Sequence, residues 1–400
     1  MTVDGPWRRA AAGAGLVDGA GEIRPTIFTE MSALATRTGA INLGQGFPDE
    51  DGPAEVLAEA VAAIRRGVNQ YPPGLGFPDL RLAISEHQNR FYGLTPDPDR
   101  EVLVTAGATE ALAATLLALV SPGDEILTFE PFYDAYGGLI GLAGGEHRTV
   151  KLRAPAFQPD HDELRAAVSD RTRVILVNNP HNPTGAVFDL ATLELIVDLA
   201  TKHNAIIVTD EVYEHLTFGV RHIPIATLPG AAERTVTISS GGKTFNTTGW
   251  KIGWLTARPD LVSAITTVKQ FLTYVNGAPF QPATAVGLRL PDSYFSGIAA
   301  GLEAKRDILR TGLDAAGFRT STPDGTYFIV ADAAALGATD SADFCRRLPE
   351  LAGVVAVPLT AFCSDPKDPE YASLVRFAFC KRDEVLHEAA ARLSAITPIS

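Results

Sequence analysis

Residues 172–213 decide the fold: Thr172-Arg-Val-Ile-Leu-Val-Asn178, a loop Asn179-Pro-His-Asn182-Pro-Thr-Gly185, a helical stretch over 190–203, then Ala205-Ile-Ile-Val-Thr209 running into Asp210-Glu211-Val212-Tyr213. The two apolar, β-branched runs read as buried strands over 172–177 and 205–209, with a helix of three to four turns between them. Strand, helix, strand in that rhythm makes the two strands parallel neighbours. The pattern extends outward in both directions. Residues 101–105, 125–128 and 235–238 read as further buried strands and 109–120 as another helix. An α/β fold follows, a mainly parallel sheet covered by helices on both faces, and such sheets bind ligands at the carboxyl ends of their strands. Beyond about Leu290 the rhythm changes. A long amphipathic helix over 294–316 stops at Gly317, short strands follow, and a last helix covers 383–393. This predicts a second, smaller α+β domain, joined by the segment near Ile41. The residues up to about Ile23 are rich in Ala and Gly without periodicity and read as a frayed leader.

Four hundred residues suffice for two or three domains and a cleft between them. Lys and Arg total 34 against 47 Asp and Glu, a net charge of −13. That sign repels phosphate backbones and anionic lipids, so a nucleic-acid or membrane-surface role is excluded, while a local basic pocket for a small anion is not. No apolar run approaches the ~18 residues of a membrane span. Cys345, Cys363 and Cys380 are odd in number and form no CxxC or CxxH spacing, which indicates neither a disulfide framework nor a metal site and points to the reducing cytoplasm.

Several motifs lie just after the strands. Gly44-Gln-Gly46 and Gly74-Leu-Gly76 begin like a dinucleotide fingerprint, but Asp49 and Asp79 stand where the third glycine belongs. Ser240-Gly-Gly-Lys243 has the SxxK spacing of serine acyl-transferring enzymes, without their KTG or SDN elements. Val104-Thr-Ala-Gly-Ala-Thr-Glu110 places a helix start near Gly107 to Thr109, where backbone amides attract an anion. Glu130-Pro-Phe-Tyr133 offers a flat ring for stacking. The loop after Val177 aims amide side chains from a backbone stiffened by two prolines. Asp210 ends a central strand, where an acid is costly unless a cation meets it. Glycines let Lys243 project from a turn, and Thr248-Gly-Trp-Lys251-Ile-Gly253 follows. Singly, these read as well as a capped helix, a core aromatic, a plain loop, a buried ion pair and a surface lysine.

In this fixed order, from Ile41 to Lys381, they resemble the class I aminotransferases, pyridoxal-phosphate enzymes of the aspartate-aminotransferase fold. The resemblance implies fold type I: a mainly parallel seven-stranded sheet with flanking helices plus a smaller α+β domain. Residues 1–25 would then be a flexible leader, 26–55 a segment joining the small domain, 56–292 the large cofactor-binding domain and 293–400 the small one. It also implies pyridoxal 5'-phosphate held covalently by Lys243, which later shuttles the α-proton. Asp210 would pair the pyridine nitrogen, Asn182 and Tyr213 the ring hydroxyl, and Tyr133 would stack on the ring. Ala108, Thr109, Ser240 and Lys251 would hold the phosphate. Tyr71, in Gln70-Tyr-Pro-Pro, would reach the phosphate of the other subunit in a homodimer with shared sites. Arg376, in Val375-Arg-Phe-Ala-Phe379, would grip the substrate α-carboxylate beside Asn182, assisted by Asn178 and the Gly46 backbone.

Each residue type suits its implied task. An electron sink needs a protonated ring nitrogen and hence a buried carboxylate. A phosphate needs amides, hydroxyls and a cation, and a planar carboxylate is best met by arginine. The implied reaction moves the amino group of an L-amino acid to a 2-oxo acid, 2-oxoglutarate, in ping-pong order. Leu43-Gly-Gln-Gly-Phe-Pro-Asp49 and Gly242-Lys-Thr-Phe245 resemble the kynurenine, glutamine and methionine group, and most of the chain is similar to N-succinyldiaminopimelate aminotransferases of lysine biosynthesis. Aspartate-specialised members take a second arginine from the partner. The stretch 270–281 has none, and Asn276 stands nearest that position. The alternatives are a kynurenine, glutamine or methionine aminotransferase, or a β-lyase of the same fold.

Overall fold

The β-branched run at the centre of the sequence forms a strand buried along almost its whole length, and alternate side chains enter different cores. Val174 and Leu176 pack with Leu112 and Leu116, whereas Ile175 and Val177 pack with Leu193 and Ile196. A sheet apolar on both faces needs helices on both. The structure, a computed structural model, describes residues 5–18 and 20–396.

In chain order the strands are β1 (Ile41–Asn42), β2 (Val102–Ala106), β3 (Glu125–Glu130), β4 (Glu146–Lys151), β5 (Thr172–Asn178), β6 (Ile206–Asp210) and β7 (Thr235–Ser240). They continue as β8 (Ile252–Thr256), β9 (Arg319–Thr320), β10 (Phe328–Asp332), β11 (Val354–Val355), β12 (Val357–Pro358) and β13 (Leu374–Ala378). The helices are α1 (Trp7–Gly13), α2 (Ile27–Thr38), α3 (Ala54–Arg65), α4 (Pro78–Tyr92), α5 (Gly107–Leu119), α6 (Ala135–Ala143) and α7 (His161–Ala167). After them come α8 (Leu190–Lys202), α9 (Gly241–Thr244), α10 (Pro259–Lys269), α11 (Phe280–Leu288), α12 (Asp292–Ala315), α13 (Ser341–Ala352) and α14 (Asp383–Leu393).

The central sheet has seven strands in the order β2-β8-β7-β6-β5-β3-β4. All pairs are parallel except those of β8, which runs antiparallel to both β7 and β2. The reversal matters for function. It sets the first residues of β8 opposite the last residues of its neighbours, with Gly253 across from Ser240 and Ile252 across from Ala106. Six carboxyl ends and one amino end therefore lie along a single edge.

A second sheet, β12-β13-β10-β9, is antiparallel, and β1 pairs in parallel with β11. The segment near Ile41 thus pairs with a C-terminal strand. The 24-residue α12 lies so close to α14 that a Cβ on Gly312 would stand 2.4 Å from that of Ala390.

The frayed leader needs correction for its described part. Residues Trp7–Gly13 form a helix packed on α6, with Arg9 Nε donating to the Gly141 carbonyl 132 residues away. Residues 1–4 and 19 of that leader lie outside the described residues. Among the described residues no helix is long and apolar enough to cross a membrane.

Candidate active site

The shared edge of the central sheet holds a cavity of about 210 Å³, lined by residues at or just beyond the ends of β2, β3, β5, β6 and β7 and at the start of β8. From the end of β2, Gly107 turns the chain with φ +71° into α5. No side chain caps this helix, in contrast to α8, whose first turn is capped by Asp189 accepting from Thr192 N at 2.8 Å. The first amides of α5 are left for another anion. Lys251 approaches the same turn: its Nζ donates to Thr109 Oγ1 at 3.3 Å, and a Cβ on Gly107 would meet that Nζ at 3.2 Å. Gly253 backs the turn so tightly that a Cβ there would stand 2.4 Å from the Gly107 carbonyl carbon. Ser240, at the end of β7, completes this cationic corner.

Asp210 ends β6 and is 4% exposed. Burial pushes its carboxyl up to about 6, against the pull of the Tyr136 hydroxyl, which donates to Oδ2 at 2.7 Å, and of Lys243. Lys243 projects from α9 with its amine 5.7 Å from the ring centroids of both Tyr213 and Tyr327. Burial pulls that amine down to about 8, and the charges of Lys251 and Arg376 push the same way. A lysine so placed is in part a free base near neutrality. Tyr133, its hydroxyl pushed up to about 12 by burial, lines the cavity and sits edge-on to Tyr136 at 5.6 Å.

Arg376 comes from the other sheet. It lies on β13 between Val330 of β10 and Val357 of β12, and is 2% exposed. Nη1 donates to Asn182 Oδ1 and Nη2 to the Gly44 carbonyl, both at 2.9 Å, while Nε has no partner. Its guanidinium lies 4.0 Å from the centroid of the Phe328 ring, and burial pushes it down to about 10. A buried cation with an unspent donor is costly unless an anion joins it.

The family model for class I and II aminotransferases matches residues 38–393. The chain belongs to that family. It is 51% identical over 381 residues to "Probable N-succinyldiaminopimelate aminotransferase DapC" of Mycobacterium tuberculosis, covering 93% of this chain and 96% of the relative. It is 40% identical over 373 residues to the methionine aminotransferase of Escherichia coli, covering 93% and 96%. Among solved structures, the N-succinyldiaminopimelate aminotransferase of M. tuberculosis superposes with a TM-score of 0.92 at 50% identity, over 98% of this chain and 99% of that one. The aspartate aminotransferase of Thermus thermophilus with maleate gives 0.87 at 30% identity, over 98% and 99%. The protein is an aminotransferase of fold type I, acting on an amino acid and a 2-oxo acid.

Of the residues expected in this aminotransferase's site, Ala108, Thr109, Tyr133, Asn178, Asn182, Asp210, Tyr213, Ser240, Lys243 and Lys251 line the cavity. Arg376 adjoins it through Asn182. Gly46 packs nearby, where a Cβ would strike the Phe328 ring at 2.4 Å, and its carbonyl accepts from Tyr327. Asn178 spends its amide on the backbone, donating to the Asp210 carbonyl at 2.9 Å and accepting from Asn182 N at 2.7 Å. It shapes the loop, and Asn182 is the side chain that meets Arg376. Two expected residues lie outside the cavity wall. Asn276 donates to the Thr105 and Lys251 carbonyls at 3.1 and 3.0 Å, and Tyr71 is 81% exposed beside Tyr274. The sequence reading missed Tyr136. It stands three residues after Tyr133, in the first turn of α6.

Proposed function

We propose that the protein binds pyridoxal 5'-phosphate at this cavity and transfers the amino group of N-succinyl-LL-diaminopimelate to 2-oxoglutarate. The observation that carries the reading is the meeting of a depressed lysine amine, a buried carboxylate and an uncapped helix start in one cavity. That donor set fits the group. The amides of Ala108 and Thr109, the Ser240 hydroxyl and Lys251 would hold its phosphate, and Gly107 and Gly253 let the turn, β8 and Lys251 close up where a Cβ would collide with them. Asp210 would pair the ring nitrogen, Asn182 and Tyr213 the ring hydroxyl, and Tyr133 would cover one face. When bound, the cofactor supplies the electron sink that makes the substrate Cα acidic.

The chain's own part is positioning and proton transfer. Arg376 and Asn182 hold the α-carboxylate and turn the Cα–H bond toward Lys243. The Lys243 amine is the covalent anchor, and once displaced it takes the proton from Cα; its depressed basicity suits that task at neutral pH. The aromatic walls Tyr133, Tyr213 and Tyr327 exclude water. Because one cavity serves both substrates, donor and acceptor take turns in ping-pong order.

The identity of the M. tuberculosis relative supports the choice of donor. Homodimer assembly belongs to the same reading, with Tyr71 and the Asn276 loop serving the neighbouring site. Tyr71 at 81% exposed and Phe271 at 85% support it, since large aromatics that open to solvent mark an interface. A division into a large domain over 56–292 and a small one over 293–400, and a cytoplasmic location, are part of the same proposal.

The test is a donor panel against 2-oxoglutarate, with succinyldiaminopimelate, kynurenine, glutamine and methionine, followed by borohydride reduction and peptide mapping. The expected result is highest kcat/KM for succinyldiaminopimelate and a label on Lys243. Transfer from kynurenine or methionine alone overturns the donor, and a label elsewhere overturns the site.

A further inference from the structure

Helix α6 is gripped from two sides. On the inner side, Tyr136, itself 2% exposed, donates its hydroxyl to Asp210 Oδ2 at 2.7 Å, while Oδ1 is met by the Val212 amide at 3.4 Å. One carboxylate oxygen is thus committed to Tyr136, which leaves the other to face the cavity. On the outer side, α1 lies on α6 backbone to backbone. A Cβ on Gly137 would stand 2.0 Å from the Gly13 carbonyl oxygen, and one on Gly141 would stand 2.3 Å from that of Arg9. Three of the nine residues of α6 are glycines, in Ala135-Tyr-Gly-Gly-Leu-Ile-Gly-Leu-Ala143. Glycine is the weakest helix former short of proline, so α6 holds its shape poorly alone. Its sequence gives up helix stability for a surface on which another backbone can lie.

We propose that α1 is a clamp on the active site, holding α6 where Tyr136 reaches Asp210, so that the N-terminal helix acts on the chemistry through a tyrosine–aspartate hydrogen bond. The proposal rests on the assignment of Asp210 to the cofactor's ring nitrogen. Tyr136 is a positioning residue: it orients the carboxylate and favours its ionised form, and does not itself meet the substrate. The other titratable groups around Asp210 are Tyr133 from the segment before α6, Lys243 of α9, and Glu211 and Tyr213, which follow it in the chain. None of them donates a hydrogen bond to Oδ2, so none can take over from Tyr136.

The test uses the full chain with Gly137→Ala and Gly141→Ala together. The added methyl groups meet α1 first, at the Gly13 and Arg9 carbonyls, with the Phe132 ring 3.5 Å from the one on Gly137. Alanine also strengthens α6 as a helix. If α1 is an inert leader, the double variant binds pyridoxal phosphate like the wild type and is at least as stable. If α1 is a clamp, tryptic cleavage at Arg8 and Arg9 accelerates and cofactor affinity falls about tenfold, because a charge-assisted hydrogen bond is loosened. Tyr136→Phe alone weakens the cofactor by about 10- to 100-fold. It also raises the pH below which the apoprotein stops binding it, a shift that a purely structural role does not produce. Combined with the double variant, the loss should stay within about threefold of that of Tyr136→Phe alone, since the two changes break one path.

Faster cleavage with unchanged affinity overturns the proposal. So does a clamp that stays seated, since the packing on which it rests leaves no space for a methyl group. Wild-type protein that takes up no pyridoxal phosphate at Lys243 overturns the functional reading instead, before any variant is compared.

Discussion

Asp210 and Glu211 are neighbours with the same chemistry, 4% and 2% exposed, and they leave the end of β6 in opposite directions. Asp210 faces the cavity with one oxygen committed to Tyr136. Glu211 faces away, and its Oε2 meets His222 Nε2 at 2.8 Å. The division continues through the turn. Tyr213 lines the cavity, while Glu214 accepts from the Ser239 hydroxyl at 2.7 Å and His215 meets His87 at 2.7 Å. Both faces hold buried polar atoms without partners: Arg376 Nε at the front, Glu214 Oε2 and His222 Nδ1 at the back. Burial and charge therefore do not distinguish a working residue from a structural one. The space beside it does.

The comparison breaks most sharply at Lys243. Lys243→Ala should abolish the borohydride-stable link and lower transamination by about four orders of magnitude or more, since anchor and base vanish together. Retained activity would remove the front face's claim to the chemistry. Asp210→Asn should slow the first half-reaction by roughly 10²- to 10⁴-fold while leaving the thermal midpoint nearly unchanged, as stopped-flow spectra and calorimetry would read. Next, Arg376→Ala should cost about 30- to 1000-fold in kcat/KM for donors with unlike side chains, and Arg376→Lys should recover little because a point charge lacks the planar fork. A loss confined to acidic donors would mean that the residue reads the side chain.

The back face should respond in stability instead. Glu211→Ala leaves the His222 ring without its one carboxylate and should cost roughly 2–4 kcal/mol in urea unfolding, with kcat per folded molecule little changed. A large loss of kcat in that variant would show that the two faces are not separable. The smallest effect concerns His87, whose imidazole burial pushes down to about 4. The unfolded chain protonates that ring near 6.5, so it binds more protons than the folded chain as pH falls from 6.5 toward 4. Folded-state stability drops through that window and is intact above it. His87→Gln should reduce the drop by on the order of 1–3 kcal/mol, and an unchanged pH slope would place the proton elsewhere.

Much of this was legible in the sequence because it is local. The strands at 172–178 and 206–210 announce themselves as apolar β-branched runs, and the residues that line the cavity follow them within a few positions. Two strands escaped that reading for different reasons. Glu146–Lys151 is an edge strand whose mostly polar side chains carry no buried pattern. Ile252–Thr256 is buried, but its five residues include a glycine and read as the tail of a motif. The helices over residues 27–92 were not read either. Helix α1 escaped because its reason to exist lies in glycines more than 120 residues downstream, and the Tyr136–Asp210 bond spans 74 residues. Contacts between distant segments leave no periodicity to find.

The anchoring of Arg376 has a consequence for how such an enzyme changes over time. Its strand is paired on both sides, its guanidinium lies against Phe328, and two of its donors are tied to Asn182 and Gly44. In its proposed role of carboxylate grip, it would read only the part that every amino acid shares, and read it rigidly. Side-chain preference is then decided by other walls, which can drift without disturbing the reacting atoms. Relatives named for succinyldiaminopimelate, methionine and kynurenine at 51, 40 and 37% identity are what such a division allows. A new substrate is gained by altering a wall, and the costly part of the site is inherited whole.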